Sequence, residues 1–150
     1  MKVQLPKVKP LKQFTDCEWC GAMDAPENLS WKTRIAPENE PGEPLILQGT
    51  IYEPDGTTPA KGIVVYAYNT NAQGIYPKRG DESGNCKRHG YLRGWAITNE
   101  KGNYQFTTIK SALEDLNRKG RYSNVISLQK NKEGIWIGKR DIILSKELMK

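Results

Sequence analysis

A single histidine, His89, is present in 150 residues, with three cysteines and two phenylalanines. One imidazole excludes any site that needs two. A catalytic triad would have to use His89, and no Gly-X-Ser-X-Gly elbow accompanies it. The cysteines, Cys17, Cys20 and Cys86, are odd in number and too few for a disulfide scaffold. No apolar run approaches the ~20 residues of a membrane span, so no transmembrane helix and no membrane partner are expected. The opening MKVQLPKVKPLKQF holds two prolines and no continuous apolar stretch, which is not a secretory signal as written. The expected location is cytoplasmic, or secreted or periplasmic if a signal has been removed. No phosphate loop, internal repeat or low-complexity segment occurs.

What is present points to one lean globular domain. Hydrophobic residues make up 37% and charged residues 27% with both signs mixed, which argues against wholesale disorder. The net charge is +6, from 23 basic and 17 acidic residues. The densest basic groups, Lys7, Lys9 and Lys12, then Lys130 and Lys132, lie in polar loops without an RNA- or DNA-binding signature. They read as a solvated surface, and no nucleic-acid partner is expected.

Residues 1–43 read as an irregular arm. Pro6, Pro10, Pro26, Pro37 and Pro41 interrupt any helix or central strand, while Trp19 and Trp31 argue that the arm packs on the body. The domain proper starts at 44 and runs to 150. LILQGTIY (45–52) alternates and is rich in branched and aromatic residues, as a strand requires. Glu53-Pro54-Asp55-Gly56 is a turn. IVVYAYN (63–69) is a second strand, followed by a Gly-, Asn- and charge-rich loop from about Thr70 to His89. A third strand spans 91–98, and Asn99 to Gly102 turns it into its hairpin partner, 103–109. Short turns without intervening helices predict an all-β, antiparallel sandwich. Ser111-Ala112-Leu113-Glu114 is a capping box that opens a short helix ending at Gly120. Short strands follow at 124–128, 135–138 and 141–144.

Three stretches carry a family likeness. They are Gly49-Thr50-Ile51-Tyr52 with Pro54-Asp55-Gly56 and Pro59 to Gly62, then Val64 to Tyr68 through Gly74-Ile75-Tyr76, then Arg93-Gly94 with Thr98 to Gly102 and Tyr104 to Lys110. In order and spacing, strongest over 45–110, the chain resembles the intradiol ring-cleavage dioxygenases of the catechol, hydroxyquinol and protocatechuate type. The resemblance implies a β-sandwich, ferric iron, and oxidative ring opening of a catechol-type aromatic. It also implies an iron site of two tyrosines and two histidines. Tyr76, in Gly-X-Tyr, matches the first tyrosine. The second belongs to a Tyr-Pro pair after the strand that ends at Lys110 and the histidines to a His-X-His strand; no Tyr-Pro follows Lys110, and no His-X-His occurs anywhere. The chain reads Ser111-Ala112-Leu113 where that region should begin, while its tail again looks like the family's ending. Either a segment is missing between Lys110 and Ser111, or the protein has diverged and replaced the site.

Iron needs several donors around open positions, and phenols ligate as tyrosinate only when a strong cation lowers their pKa from about 10. Tyr76 alone cannot hold ferric iron, so Fe(III) is implied by resemblance but not expected to bind to this chain alone. Tyr122 is either a substitute second tyrosine or a packing residue at a strand start. Arg93 is the candidate catalytic residue: its fork of donors either orients an anionic substrate group or bonds loop carbonyls or a carboxylate. Cys17-X-X-Cys20 with Cys86-X-X-His89 has the makings of a Cys3His zinc site, though ordinary reduced cysteines or a redox-labile Cys17–Cys20 pair fit as well. His89 reads as a surface or loop hydrogen-bonding residue. The expected function is that of a dioxygenase-like protein with weak or absent activity. The alternatives are a non-catalytic binding module and a small zinc or redox domain. Tyr76 and Arg93 are expected to share one concave face. Loss of the His-X-His strand is expected to leave a sheet edge exposed, open to a second copy of the chain.

Overall fold

A computed structural model describes the backbone of residues 2–4 and all of residues 21, 24–82, 87–111 and 126–146. Among these, nine strands are formed: β1 (Lys2–Gln4), β2 (Lys32–Arg34), β3 (Pro44–Tyr52), β4 (Val64–Tyr68), β5 (Arg93–Ile97), β6 (Asn103–Ile109), β7 (Leu128–Lys130), β8 (Trp136–Lys139) and β9 (Ile142–Ile143). The expected helix after Ser111 and the start of the 124–128 strand lie outside the described residues, as do Tyr122 and all three cysteines. Among the described residues no helix is long and apolar enough to cross a membrane.

The strands form a small sheet, β1-β4-β5, and a larger one, β2-β6-β3-β8-β7, with β9 added to β3. The alternation read from the sequence of β3 is what is seen: Leu45, Leu47, Gly49 and Ile51 are buried, while their neighbours face outward. Its antiparallel partner β6 sets Phe106 opposite Leu47 and Tyr104 opposite Gly49. Residues directly opposite in such a pair share a face. On the small sheet, Val65 opposes Ala96. Leu47, Ile51, Tyr104 and Phe106 from the larger sheet then pack against Val65, Ala67, Leu92 and Ala96. This is the all-β sandwich the sequence predicts. Its sheets are mixed rather than purely antiparallel, because β2 runs parallel to β6 and both β8 and β9 run parallel to β3. β8 is the antiparallel hairpin partner of β7 and β9 follows it after two residues, so both lie along the far edge of β3 in one direction.

The arm is less irregular than its prolines imply. Pro26 and Pro37 flank β2 instead of interrupting it, and both β1 and β2 take edge positions, where short strands are tolerated. β2 also ties the two sheets together. Ile97 N donates to Ser30 O at 3.0 Å and Thr33 Oγ1 to Trp95 O at 2.6 Å, while residues 32–34 pair with β6. Part of the free edge of β5 is therefore covered by the chain's own arm. At the far end of the larger sheet, edge strand β7 carries exposed Gln129 and Lys130. A charged edge of this kind disfavours pairing with another chain.

Candidate functional site

The small sheet is buried on one face and partly covered on the other. One face joins the core, and the other carries a separate cluster of Tyr66, Tyr68 and Trp95. Strand alternation puts Tyr66 and Tyr68 on the face opposite Val65 and Ala67. The β4–β5 register then sets Trp95 beside Tyr66 and Arg93 beside Tyr68. The Tyr66 and Trp95 rings stack at 5.4 Å, and Tyr66 lies 5.6 Å from Tyr68.

The connection from β4 to β5 folds back over this face. Asn71 Oδ1 accepts the N–H groups of Gln73 and Ile75, both at 3.0 Å, making a tight turn that returns the chain to Tyr76. The Tyr76 ring, 36% exposed, lies 5.7 Å from that of Tyr68. Gly90, with φ of 69°, sits against the Tyr76–Pro77 backbone, and Tyr91 N donates to Pro77 O at 2.9 Å. This places His89 inside the aromatic layer. Its ring lies nearly parallel to Tyr68 at 3.8 Å, and its Nδ1 is 2.7 Å from the Tyr66 hydroxyl.

His89 is thus a hydrogen-bonding residue as expected, but not a surface one, being only 6% exposed. Its polar neighbours Lys87 and Arg88 are exposed. Its burial comes from Tyr66 and Tyr68, more than twenty residues upstream. The cysteines of the candidate Cys3His site lie outside the described residues. Tyr66, Tyr68 and Trp95 were legible only as strand residues. The signal that could have marked them is the tyrosine pair at i and i+2, opposite a Val-Ala face. Tyr66→Phe removes the hydroxyl bonded to a buried imidazole and should destabilise the protein by about 1–2 kcal/mol, read by urea unfolding.

Arg93 lies at the other side of Tyr68, its Cζ 5.2 Å above the Trp95 ring. Its Nη1 is buried with no hydrogen-bond partner. Arg93 lines a depression of about 270 Å³ together with Arg79, Asp81, Glu82, Tyr91 and Trp95. Arg79 stands 4.5 Å above the Tyr91 ring. The Tyr91 hydroxyl donates to Glu40 Oε2 at 2.7 Å, and this bond to a carboxylate, with burial, raises its pKa. Glu82 accepts from Arg79 N at 2.6 Å and Gly80 N at 3.0 Å, and these backbone donors keep it ionised to lower pH. Tyr76 and Arg93 therefore stand on the same side of the sandwich, joined through Tyr68, but Tyr76 does not line the depression.

The profile of the Dioxygenase family (Dioxygenase_C) matches residues 22–134, and the chain belongs to this family. Solved structures share the fold. One is the dioxygenase domain of a dioxygenase carbohydrate-binding protein fusion from Streptomyces sp. SirexAA-E. Its TM-score is 0.59 at 14% identity, over 80% of this chain and 91% of that one. Catechol 1,2-dioxygenase from Acinetobacter sp. ADP1 has a TM-score of 0.58 at 20% identity, over 81% of this chain. The match spans only 59% of the Acinetobacter enzyme. An intradiol ring-cleavage dioxygenase from Tetranychus urticae gives 0.54 at 15%, over 78% and 87%. No curated protein matches the chain.

The resemblance implies a ferric site of two tyrosines and two histidines. That site takes two imidazoles, and the sequence has one. Among the described residues, no three or more His, Cys, Asp and Glu side chains converge on a point.

Proposed function

We propose that this chain is an intradiol dioxygenase-like protein that keeps the sandwich and, as a single polypeptide, has little or no ring-opening activity. By this reading its site face binds a small aromatic or anionic molecule without cleaving it. The observation that carries the proposal is the histidine count: the sequence holds one imidazole, and it lies against Tyr66 and Tyr68. With one imidazole, a single chain cannot supply both histidines of a site of two tyrosines and two histidines. The family membership and the Gly-X-Tyr position of Tyr76 support descent from enzymes that act on catechol-type compounds.

The test combines metal analysis, a visible spectrum and oxygen uptake on the purified protein. The expected sample is colourless, holds well under one iron per chain, and consumes no oxygen with catechol, protocatechuate or hydroxyquinol. Near-stoichiometric iron with a visible tyrosinate band would overturn the proposal and would direct attention to Tyr76, Tyr122, His89 or a second subunit as ligands.

A further inference from the structure

We propose that Tyr66 is a redox-active tyrosine, oxidised by one electron from the surface through Tyr76 and Tyr68 while its proton passes to His89. Neither iron nor a bound ligand takes part. A phenol that loses an electron becomes a strong acid, and its radical cation is disfavoured in an apolar interior. A buried tyrosine therefore gives up an electron readily only where a base already holds its hydrogen bond. Tyr66 is fully buried, and its hydroxyl stands 2.7 Å from His89 Nδ1. Imidazole is the side chain whose ordinary pKa lies near neutrality, so it can both accept and release a proton there. In the tautomer with the ring proton on Nε2, Nδ1 accepts from the hydroxyl and is placed to receive its proton. The imidazolium so formed lies nearly parallel to the Tyr68 ring at 3.8 Å, where the negative ring face favours a cation.

Contiguous rings supply the path to the surface. Tyr66 itself is closed to solvent, and Gly21 packs so near its hydroxyl end that a Cβ there would lie 2.5 Å from the oxygen. Tyr76, 36% exposed, lies 5.7 Å from Tyr68, which lies 5.6 Å from Tyr66. Electrons pass between rings at such spacing without any movement of the chain. Trp95 stacks on Tyr66 at 5.4 Å but holds a radical less well. Its Nε1 donates to the Gly21 carbonyl, which is not a base, and the Arg93 guanidinium 5.2 Å above the ring repels a positive indole. With an organic peroxyl radical as the oxidant, one electron leaves Tyr66 through Tyr68 and Tyr76 and reduces that radical to the peroxide anion, which takes a proton from water. The Tyr66 O–H bond breaks and its proton goes to His89 Nδ1. Tyr66 ends as a neutral phenoxyl radical and His89 as imidazolium.

The probe is a photogenerated ruthenium(III) tris-bipyridine complex, an outer-sphere one-electron oxidant. Radicals are followed by transient absorption and by electron paramagnetic resonance on frozen samples, and iron content is measured on the same protein. The unmodified protein should give a long-lived neutral tyrosyl radical that forms more slowly in D2O. Its resonance should narrow in protein made with ring-deuterated tyrosine. Tyr66→Phe should lower the yield of long-lived radical about tenfold or more, the size expected from losing a hydrogen bond to a charged group. His89→Gln, which keeps a polar side chain but offers no base, should shorten the radical's lifetime by a similar factor. Tyr76→Phe should slow formation and leave the lifetime unchanged. Circular dichroism and melting of each variant establish that it is folded. An equally abundant and long-lived radical in folded Tyr66→Phe would overturn the proposal. So would a tryptophan signal in place of the tyrosyl one, the absence of any long-lived radical, or equal rates in H2O and D2O. The last three are read on the unmodified sequence and so stand even if a variant fails to fold. Iron found in the sample bears on the preceding reading alone.

Discussion

Replacing Gly49 with alanine should lower the melting temperature by about 10 °C, from a loss of about 3 kcal/mol or more. The position lies in the middle of β3, where the chain between β8 and β9 crosses the strand. Arg140 N donates to Gln48 O at 2.9 Å, and Thr50 N donates to Asp141 Oδ1 at 2.9 Å. The Arg140 carbonyl is turned inward to accept the hydroxyl of buried Tyr104 at 2.6 Å. A Cβ on residue 49 would sit 1.8 Å from that carbonyl oxygen and 2.6 Å from its carbon. Both are backbone atoms, so no side-chain rotation relieves the clash. The Arg140 peptide has to move, and it takes with it the acceptor of Tyr104. Burial holds that phenol's pKa well above its ordinary value, so it remains a donor that needs a partner. A thermal melt that differs from the parent by no more than 2–3 °C would mean that the crossing is not as tight as described.

Gly90→Ala should cost about 2–3 kcal/mol and disturb the aromatic layer in particular. The residue has φ of 69°, and an added Cβ would lie 2.3 Å from Pro77 O. The substitution is therefore penalised twice, by backbone conformation and by contact with the Tyr76–Pro77 backbone. The relief available is to push that segment away, which breaks the Tyr91 N to Pro77 O bond and shifts both Tyr76 and His89 relative to Tyr68. The expected result is a changed near-ultraviolet circular dichroism spectrum at a temperature where the far-ultraviolet spectrum is retained. Loss of stability without any change in the aromatic signal would show that the layer does not depend on this contact. Tyr66→Phe perturbs the same layer from its hydroxyl end and should be the milder of the two.

The strands of the sandwich were legible because their signal is local. In β3 and β6 the alternation of large apolar and polar side chains can be read within seven to nine residues, and the observed burial follows it. The turn at Asn99 to Gly102 was legible for the same reason. Asn99 accepts the N–H groups of Lys101 and Asn103 at 3.0 Å each, so turn chemistry and hairpin pairing agree. Family membership was also readable, since it rests on the order and spacing of short motifs, and the shortage of imidazoles is a matter of composition. These determined the fold class and the number of imidazoles that the chain can offer to a metal.

Tertiary structure decided what depends on distant segments meeting. β2 reads as part of an irregular arm because its three residues carry too little pattern to announce a strand, and its hydrogen bonds to β5 and β6 are made with residues some sixty to seventy positions away. The parallel addition of β8 and β9 to β3 likewise depends on the route of the connecting chain. His89 stands in a run of basic and small residues that reads as surface, yet two tyrosines from another strand enclose it. Arg93 shows no sign in the sequence that one of its nitrogens is sealed without an acceptor. Burial and hydrogen-bond satisfaction are properties of pairs of residues brought together in space, and a local pattern holds no information about the second member of the pair.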